Sequence, residues 1–310
     1  MLDKPLSEFT KDDYISVALH ASQTFRSGNL DLAWKMYSYR EMAFYGEKGR
    51  SALGIPMWRG QDLKGKTLAL CYEQTLGEHI LFSSMFSDLI SLGARLIVEI
   101  DSRLMSLFRR SFPDVEFVSW GFPTDPKLLT ADYYTLMGNP GIRLRNSRDK
   151  FPNTIKYLKA KPLEGSLGSP LVGISWYSPA VYDKDNKNVP LEAFRPIYDD
   201  TTLDCVSLQY GAKVPKNVPI RELPIDYIKD IDGLASVIDA CDVVVTISNT
   251  VAHLAGALGK PTYVLLTNGL ARLWYWDLPF YPSVIRYQRE NEQETWDKLL
   301  FDIHKKVVDK

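Results

Sequence analysis

Val243-Val244-Val245-Thr246-Ile247-Ser248-Asn249-Thr250-Val251-Ala252-His253-Leu254-Ala255-Gly256-Ala257-Leu258-Gly259-Lys260-Pro261 is the stretch whose reading decides the fold. Its first five residues are β-branched, the composition of a strand buried on both faces. Three small polar residues follow, then an apolar helical pattern over Val251–Leu258 that stops at Gly259, with Pro261 just beyond. A second strand, Thr262–Leu266, resumes at once. The order is strand, polar turn, helix, strand. It places Ser248, Asn249 and Thr250 at the carboxyl end of a strand and the amino end of a helix. Free backbone N–H groups and the positive end of the helix dipole there make an anion site, most often for phosphate. An ordinary βαβ unit with a capped helix is the alternative reading, because small polar residues cap most helices.

The same alternation runs outward through the chain. Upstream, strands are expected at Leu171–Ser175 and Leu203–Leu208, with helices at Leu191–Ile197 and Gly233–Ala240. Further back, strand-like runs at Thr67–Tyr72, Leu96–Ile100 and Glu116–Trp120 alternate with helical patterns at Glu78–Leu92 and Arg103–Phe112. Helices between strands imply parallel βαβ units, hence an α/β fold. Lys159–Pro170 holds two prolines, two glycines and two serines and reads as an interdomain linker. Residues 1–50 read as a helical pair broken at Ser27-Gly28-Asn29. Such a pair needs neighbours to bury its face, in the α/β part of the chain, a second subunit or a protein partner. The tail from Glu292 carries Trp296, Leu299, Leu300, Ile303 and Val307 at helical spacing.

Composition narrows the function. The 310 residues are 45% hydrophobic and 24% charged, with a formal net charge of −1, as in soluble globular proteins. No basic run suggests a nucleic-acid partner. Cys71, Cys205 and Cys241 lie in or beside apolar runs without metal-ligand spacing, which suits buried reduced thiols. With no signal-like start and no membrane-length apolar run, the expected location is cytoplasmic.

Chemistry-bearing residues gather at predicted strand ends. Glu78, after Gly77, is the first choice for a base; as a first-turn acid it would instead complement a helix dipole. His79 is the alternative base, or only a hydrogen-bonding group. Asn249 and Thr250, with Ser248, would offer donors beside helix N–H groups. His253, one turn on, either ties the helix down or reaches a ligand. Asp183/Asp185 and Asp230/Asp232 form D-x-D pairs, but one lies in a Lys/Asn loop and the other at a helix start where Asp232 is a good N-cap. No metal site is expected.

Four segments, in order, resemble a known group of enzymes. They are Gly65–Ile80 with Glu73-Gln74-Thr75-Leu76-Gly77-Glu78, Val206-Ser207-Leu208-Gln209-Tyr210-Gly211, the stretch from Ser248 to Pro261, and Arg272-Leu273-Trp274-Tyr275-Trp276 running on to Phe280-Tyr281-Pro282. Together they are similar to glycosyltransferases of the heptosyltransferase family (family 9), and to the tetratricopeptide-repeat-associated enzymes related to protein O-GlcNAc transferase (family 41). The resemblance covers roughly residues 30 to 289. It implies a GT-B fold: two Rossmann-like domains facing across a cleft, residues 51–162 for the acceptor and 163–290 for the donor, a repeat-like segment at 1–50, and a tail helix at 291–310 crossing back to the first domain.

The resemblance also assigns roles. The family's catalytic aspartate falls on Glu78, one methylene longer here. Lys187, in Asp183–Pro190, matches the lysine that neutralises the leaving diphosphate, with Lys184 competing for the role and a solvated charged loop as the alternative. Gln74 and Gly77, with Gln209, Tyr210, Ser248, Asn249, Thr250, His253 and Trp176, complete the donor-binding set. Related enzymes usually carry Asp where Ser248 stands. Trp274 and Trp276 either wall a sugar pocket or belong to the core. The implied activity moves a sugar from a nucleoside-diphosphate donor, UDP-linked, to a protein or glycan hydroxyl, with inversion, no metal and no cofactor. A sugar-nucleotide epimerase and a non-catalytic binding module are the competing readings.

Overall fold

The computed structural model describes residues 10–45, 53–154, 156–165, 167–179, 187–268, 272–291 and 294–309. Asp183, Lys184 and Asp185 lie outside them. The chain forms two compact units. The first comprises Met1–Met105, Phe112–Asn153 and Trp274–Phe280; the second, Ser106–Ser111, Thr154–Leu273 and Tyr281–Lys310.

In the first unit, strands β1 (Thr67–Cys71), β2 (Arg95–Ile100), β3 (Glu116–Ser119) and β4 (Tyr133–Leu136) make a parallel sheet in the order β3-β2-β1-β4. β1 lies in the middle and is buried except at Thr67, as its apolar run requires. The expected helix Glu78–Leu92 is two helices, α1 (Leu76–Ser83) and α2 (Phe86–Ser91). Ser83 and Ser84 turn their hydroxyls onto the carbonyls of Ile80 and Leu81, and the Arg145 guanidinium takes the carbonyl of Ser84. These contacts compete with the helical ladder and break it. β4 is too short to stand out by its pattern.

Two further helices, Lys11–Arg26 and Leu30–Ser38, pack on this unit, followed by Arg40–Tyr45. Thr10 and Asp13 form a capping box at the first, and Gly28, at φ +86°, makes the turn. Their shared face is aromatic: Trp34 meets Phe25 edge-on at 5.0 Å, and its Nε1 donates to the Arg145 carbonyl at 2.9 Å. Trp274 stacks on Phe25 at 3.9 Å and meets Trp34 edge-on at 5.3 Å. Trp274 and Trp276 are therefore core residues of the first unit and not walls of a sugar pocket.

In the second unit, β5 (Leu171–Ser175), β6 (Asp204–Ser207), β7 (Val243–Ile247), β8 (Thr262–Leu266) and β9 (Val284–Gln288) pair in parallel in the order β6-β5-β7-β8-β9. β5, β7 and β8 are buried throughout, whereas β9 is a half-exposed edge strand. Helices run at Ile231–Ala240, Thr250–Ala257 and Trp296–Val308. Asp230, not Asp232, caps the first of them, donated to by Gly233 N; Asp232 instead pairs with Arg110. The tail helix was expected to cross back to the first domain. It stays in the second unit, because the stripe Trp296, Leu299, Leu300, Ile303 and Val307 is buried in the core of β5, β7 and β8. No helix among the described residues is long and apolar enough to cross a membrane.

Candidate functional sites

In an open parallel sheet, ligands bind beyond the strands' carboxyl ends at the point where strand order reverses. In the first sheet that point lies between β1 and β4, and in the second between β5 and β7. Both points carry dense polar networks.

Beyond β7, Asn249 is the N-cap of the Thr250–Ala257 helix. Its Oδ1 accepts from Val251 N at 3.0 Å, Ala252 N at 3.3 Å and Thr246 Oγ1 at 3.2 Å. Its amide donates to Ser175 Oγ at 2.9 Å, and Ser175 donates to Gln209 Oε1 at 3.1 Å. Gln209 Oε1 also accepts from Trp176 N and Tyr177 N, each at 2.9 Å, while its Nε2 donates to the carbonyls of Tyr177 and Tyr210. One buried relay thus joins the ends of β5, β6 and β7. Two of the helix N–H groups expected to face an anion are already held by Asn249, so the first turn is less open than the sequence implied. Ser248 is buried and Thr250 half-buried beside it. Trp176 joins the relay through its backbone, and its ring is part of the core.

His253 is buried, and its Nδ1 lies 2.8 Å from the Tyr281 hydroxyl. Burial pushes its pKa down to about 3, and the nearby charge of Lys187 pushes the same way. The tie to Tyr281 is what the structural reading of His253 predicts. Tyr281 also packs against Gly256, where a Cβ would lie 2.6 Å from its ring, so the helix approaches as closely as it does only because glycine is there. Half-buried Lys187 lies within electrostatic range of His253 in that helix.

A cavity of about 350 Å³ opens beyond β6, lined by Ser207, Gln209, Tyr210, Glu222, Asp226 and Tyr227 among others. It is of ligand-pocket size. The Tyr227 hydroxyl is buried without a hydrogen-bond partner, and burial raises its pKa far above the usual tyrosine range.

Beyond β1, Glu73 is fully buried and takes a two-pronged ion pair from Arg40, Nε to Oε2 at 2.6 Å and Nη2 to Oε1 at 2.8 Å. Gly138 N donates to the same carboxylate, and Arg40 Nη1 donates to the Tyr37 carbonyl and Asn139 Oδ1, each at 2.8 Å. A Cβ on Gly138 would sit 2.9 Å from the guanidinium, so glycine is required there. Gln74 follows with φ +57°, the left-handed region that non-glycine residues avoid. The Tyr37 hydroxyl donates to its Oε1 at 3.1 Å, and the Tyr72 hydroxyl to its carbonyl at 3.2 Å.

Glu78 lies in the first turn of α1, after buried Gly77, and accepts a hydrogen bond from the Thr75 hydroxyl. Thr75 and Glu78 have the spacing of a capping box, but the Thr75 side chain makes no cap hydrogen bond; the helix is served only by the Glu78 carboxylate, which accepts from the Thr75 backbone. Burial nonetheless raises its pKa, with the Thr75 bond acting in the opposite direction and the charge of Glu73 adding to the rise. His79 is buried; its Nε2 donates to the Glu73 carbonyl at 3.0 Å and its Nδ1 meets no partner. Burial pulls its pKa down to about 4. Through Nε2 the ring ties the turn, the hydrogen-bonding role that the sequence allows it. Among the described residues no cluster of three or more His, Cys, Asp or Glu could hold a metal ion.

The structure thus brings together Gln209, Asn249 and the backbone of Trp176 in the second unit, and Gln74, Gly77, Glu78 and His79 in the first. Sequence reasoning missed Ser175, Tyr281, Arg40, Tyr37 and Asn139. Ser175 had a signal, a polar residue ending an apolar strand. The others are visible only from partners far along the chain.

The chain matches no protein-family model. It is 29% identical over 291 residues to Protein FlbA of Caulobacter vibrioides, a match covering 83% of this chain and 49% of that protein. The chain therefore spans about half the length of this curated relative. Among solved structures it is similar to a glycosyl transferase of family 9 from Veillonella parvula, with a TM-score of 0.56 at 12% identity over 80% of this chain and 98% of that one. It is similar also to the ADP-heptose lps heptosyltransferase II of E. coli, with a TM-score of 0.55 at 14% identity over 79% and 99%. At such identities the likeness is one of fold: this chain has the α/β fold of family 9 glycosyltransferases.

Proposed function

We propose that this chain is a nucleotide-sugar-dependent glycosyltransferase of the GT-B class, acting with inversion on a protein or glycan hydroxyl. The carrying observation is the buried relay Asn249–Ser175–Gln209 at the second sheet's switch point, beside a ligand-sized cavity and near Lys187, on a fold shared with family 9. In this reading the cavity beside Gln209 and Tyr210 takes the base and ribose of the donor. Ser248, Thr250 and the helix amino end, with Lys187, take the diphosphate. The relay keeps the strand-end backbone fixed, so these groups need no rearrangement on binding.

Glu78 is the base. A carboxylate whose pKa lies above its ordinary value draws a proton from an acceptor hydroxyl more readily at neutral pH. As the acceptor oxygen bonds to the anomeric carbon, the bond to the diphosphate breaks, the proton passes to Glu78, and negative charge grows on the leaving group. Lys187 stabilises that charge. The site needs no metal in this scheme, and the working location is the cytoplasm. The donor is UDP-linked by resemblance to the O-GlcNAc transferase relatives; an ADP-linked donor is the second choice, because the E. coli structural neighbour is an ADP-heptose enzyme.

Thermal stabilisation by a panel of UDP-, ADP-, GDP- and CDP-linked sugars tests the reading. A ligand present at ~100 times its dissociation constant adds about 2.7 kcal/mol. Stabilisation by none of the panel at millimolar concentration would count against it. Release of free nucleotide with sugar transferred separates a transferase from a binding module, and sugar interconversion without release would indicate an epimerase.

A further inference from the structure

We propose that the amino-terminal helices are a working part of the Glu78 site, with Tyr37 and Arg40 as positioning residues that hold the Glu73–Glu78 loop through Gln74 and Glu73. The inference rests on the assignment of Glu78 as the base and adds what sets its orientation.

The aromatic cluster of Phe25, Trp34, Tyr37 and Trp274 already buries the shared face of these helices. Yet the Tyr37 hydroxyl and two of the three Arg40 guanidinium nitrogens go to one loop, the third donating to the Tyr37 carbonyl and Asn139. Arg40 is 2% exposed and Glu73 fully buried, and every nitrogen of the guanidinium has an acceptor. Buried ion pairs add little net stability; their best-attested use is to fix one arrangement among several. Here the arrangement fixed is the backbone leaving β1. Its next residue, Gln74, holds a strained left-handed conformation and is clamped by Tyr37 on its side chain and by Tyr72 on its carbonyl. One residue later Thr75 stands at the N-cap position of the helix and donates its hydroxyl to Glu78. A third distant segment joins in: Tyr275 is buried within electrostatic range of both Glu78 and Tyr37. The groups facing Glu78 are thus Thr75, Glu73, Tyr37 and Tyr275.

Tyr37→Phe removes one hydroxyl and keeps the ring packing; Arg40→Lys keeps the charge and loses the fork. Both are made in the full chain. The readout is the Glu78 titration by ¹³Cδ-glutamate NMR, its signal assigned by its loss in Glu78→Gln, together with amide exchange across residues 73–79. Burial is the largest cause of the raised Glu78 pKa, so a loosened loop moves it down towards the ordinary carboxyl range. The expected shift in Tyr37→Phe is about half a unit to one unit, the size of one ordinary hydrogen bond, with faster exchange at residues 74–78. An unchanged Glu78 titration and unchanged exchange in Tyr37→Phe overturn the inference, whatever happens to the melting temperature. If Arg40→Lys does not fold, Tyr37→Phe decides alone. This result is independent of whether Glu78→Gln abolishes transfer, so the failure of one claim is not the failure of the other.

Discussion

Beyond β1 the chain buries an ion pair, Arg40 with Glu73; beyond β5, β6 and β7 the described hydrogen-bond network joins neutral groups, Asn249, Ser175, Gln209 and Thr246. Both networks occupy the switch point of a parallel sheet. The first recruits partners from residues 37, 40, 138 and 139, while the second is assembled almost wholly from strand-end residues. The difference teaches where each region is vulnerable. Removing one partner of the ion pair strands a charge in the interior, whereas removing one member of the relay strands a neutral dipole. Glu78, the proposed base, lies beside the charged network, where burial and, less strongly, a neighbouring carboxylate raise its pKa.

The largest effect expected is catalytic. Glu78→Gln should slow transfer by roughly 10²–10⁴-fold, the usual contribution of a general base, while donor affinity stays nearly unchanged. Rates within a factor of about two of wild type, with chemistry limiting, would remove Glu78 from that role.

The next effect falls on stability and sharpens the contrast directly. Arg40→Met leaves Glu73 buried and unpaired and should cost about 3–5 kcal/mol in urea denaturation. Adding Glu73→Leu should recover much of the loss. A double variant no more stable than the single one would mean that the pair is not the issue. Asn249→Ala, the matching change in the neutral relay, should cost about 1–2 kcal/mol, the worth of a lost N-cap. If the two single changes cost the same, the distinction between the regions fails.

The smallest effect near neutrality concerns two histidines, one in each unit. His79 and His253 have folded pKa values of about 4 and about 3, against about 6.5 in an unfolded chain. Between those values the unfolded chain binds a proton that the folded chain refuses, so stability is full above about pH 6.5 and is lost as pH falls. His79→Gln and His253→Gln should each flatten the dependence of unfolding free energy on pH between about 6.5 and 4.5. Wild-type slopes in both variants would show that the rings are not buried and neutral.

Much of this architecture was legible from residues alone. Leu171–Ser175, Val243–Ile247 and Thr262–Leu266 were read with the bounds the structure has, because a strand buried on both faces is a continuous apolar, β-branched run. β9 escaped because Val284–Gln288 is half-exposed and carries Arg286, so it lacks that run. The stretch after β7 was located correctly, but its chemistry was misjudged. An asparagine at a helix start reads as a donor to a ligand, whereas its oxygen is committed to its own helix and its nitrogen to Ser175. Arg40 could not be found at all: an arginine in a helical pattern reads as solvent-facing, and nothing local announces a carboxylate 33 residues away.

The claim that a nucleoside-diphosphate donor is held by the second unit is tested most directly by isothermal titration of UDP- and ADP-linked sugars into four proteins: wild type, Lys187→Ala, Gln209→Ala and Glu78→Gln. The account predicts that at least one donor binds wild type and that Lys187→Ala and Gln209→Ala each weaken it by roughly tenfold or more, about 1.4 kcal/mol. Glu78→Gln should leave the affinity within about threefold, since a base that acts only in the transition state adds little to ground-state binding. Binding that survives both second-unit substitutions and is lost in Glu78→Gln would contradict it.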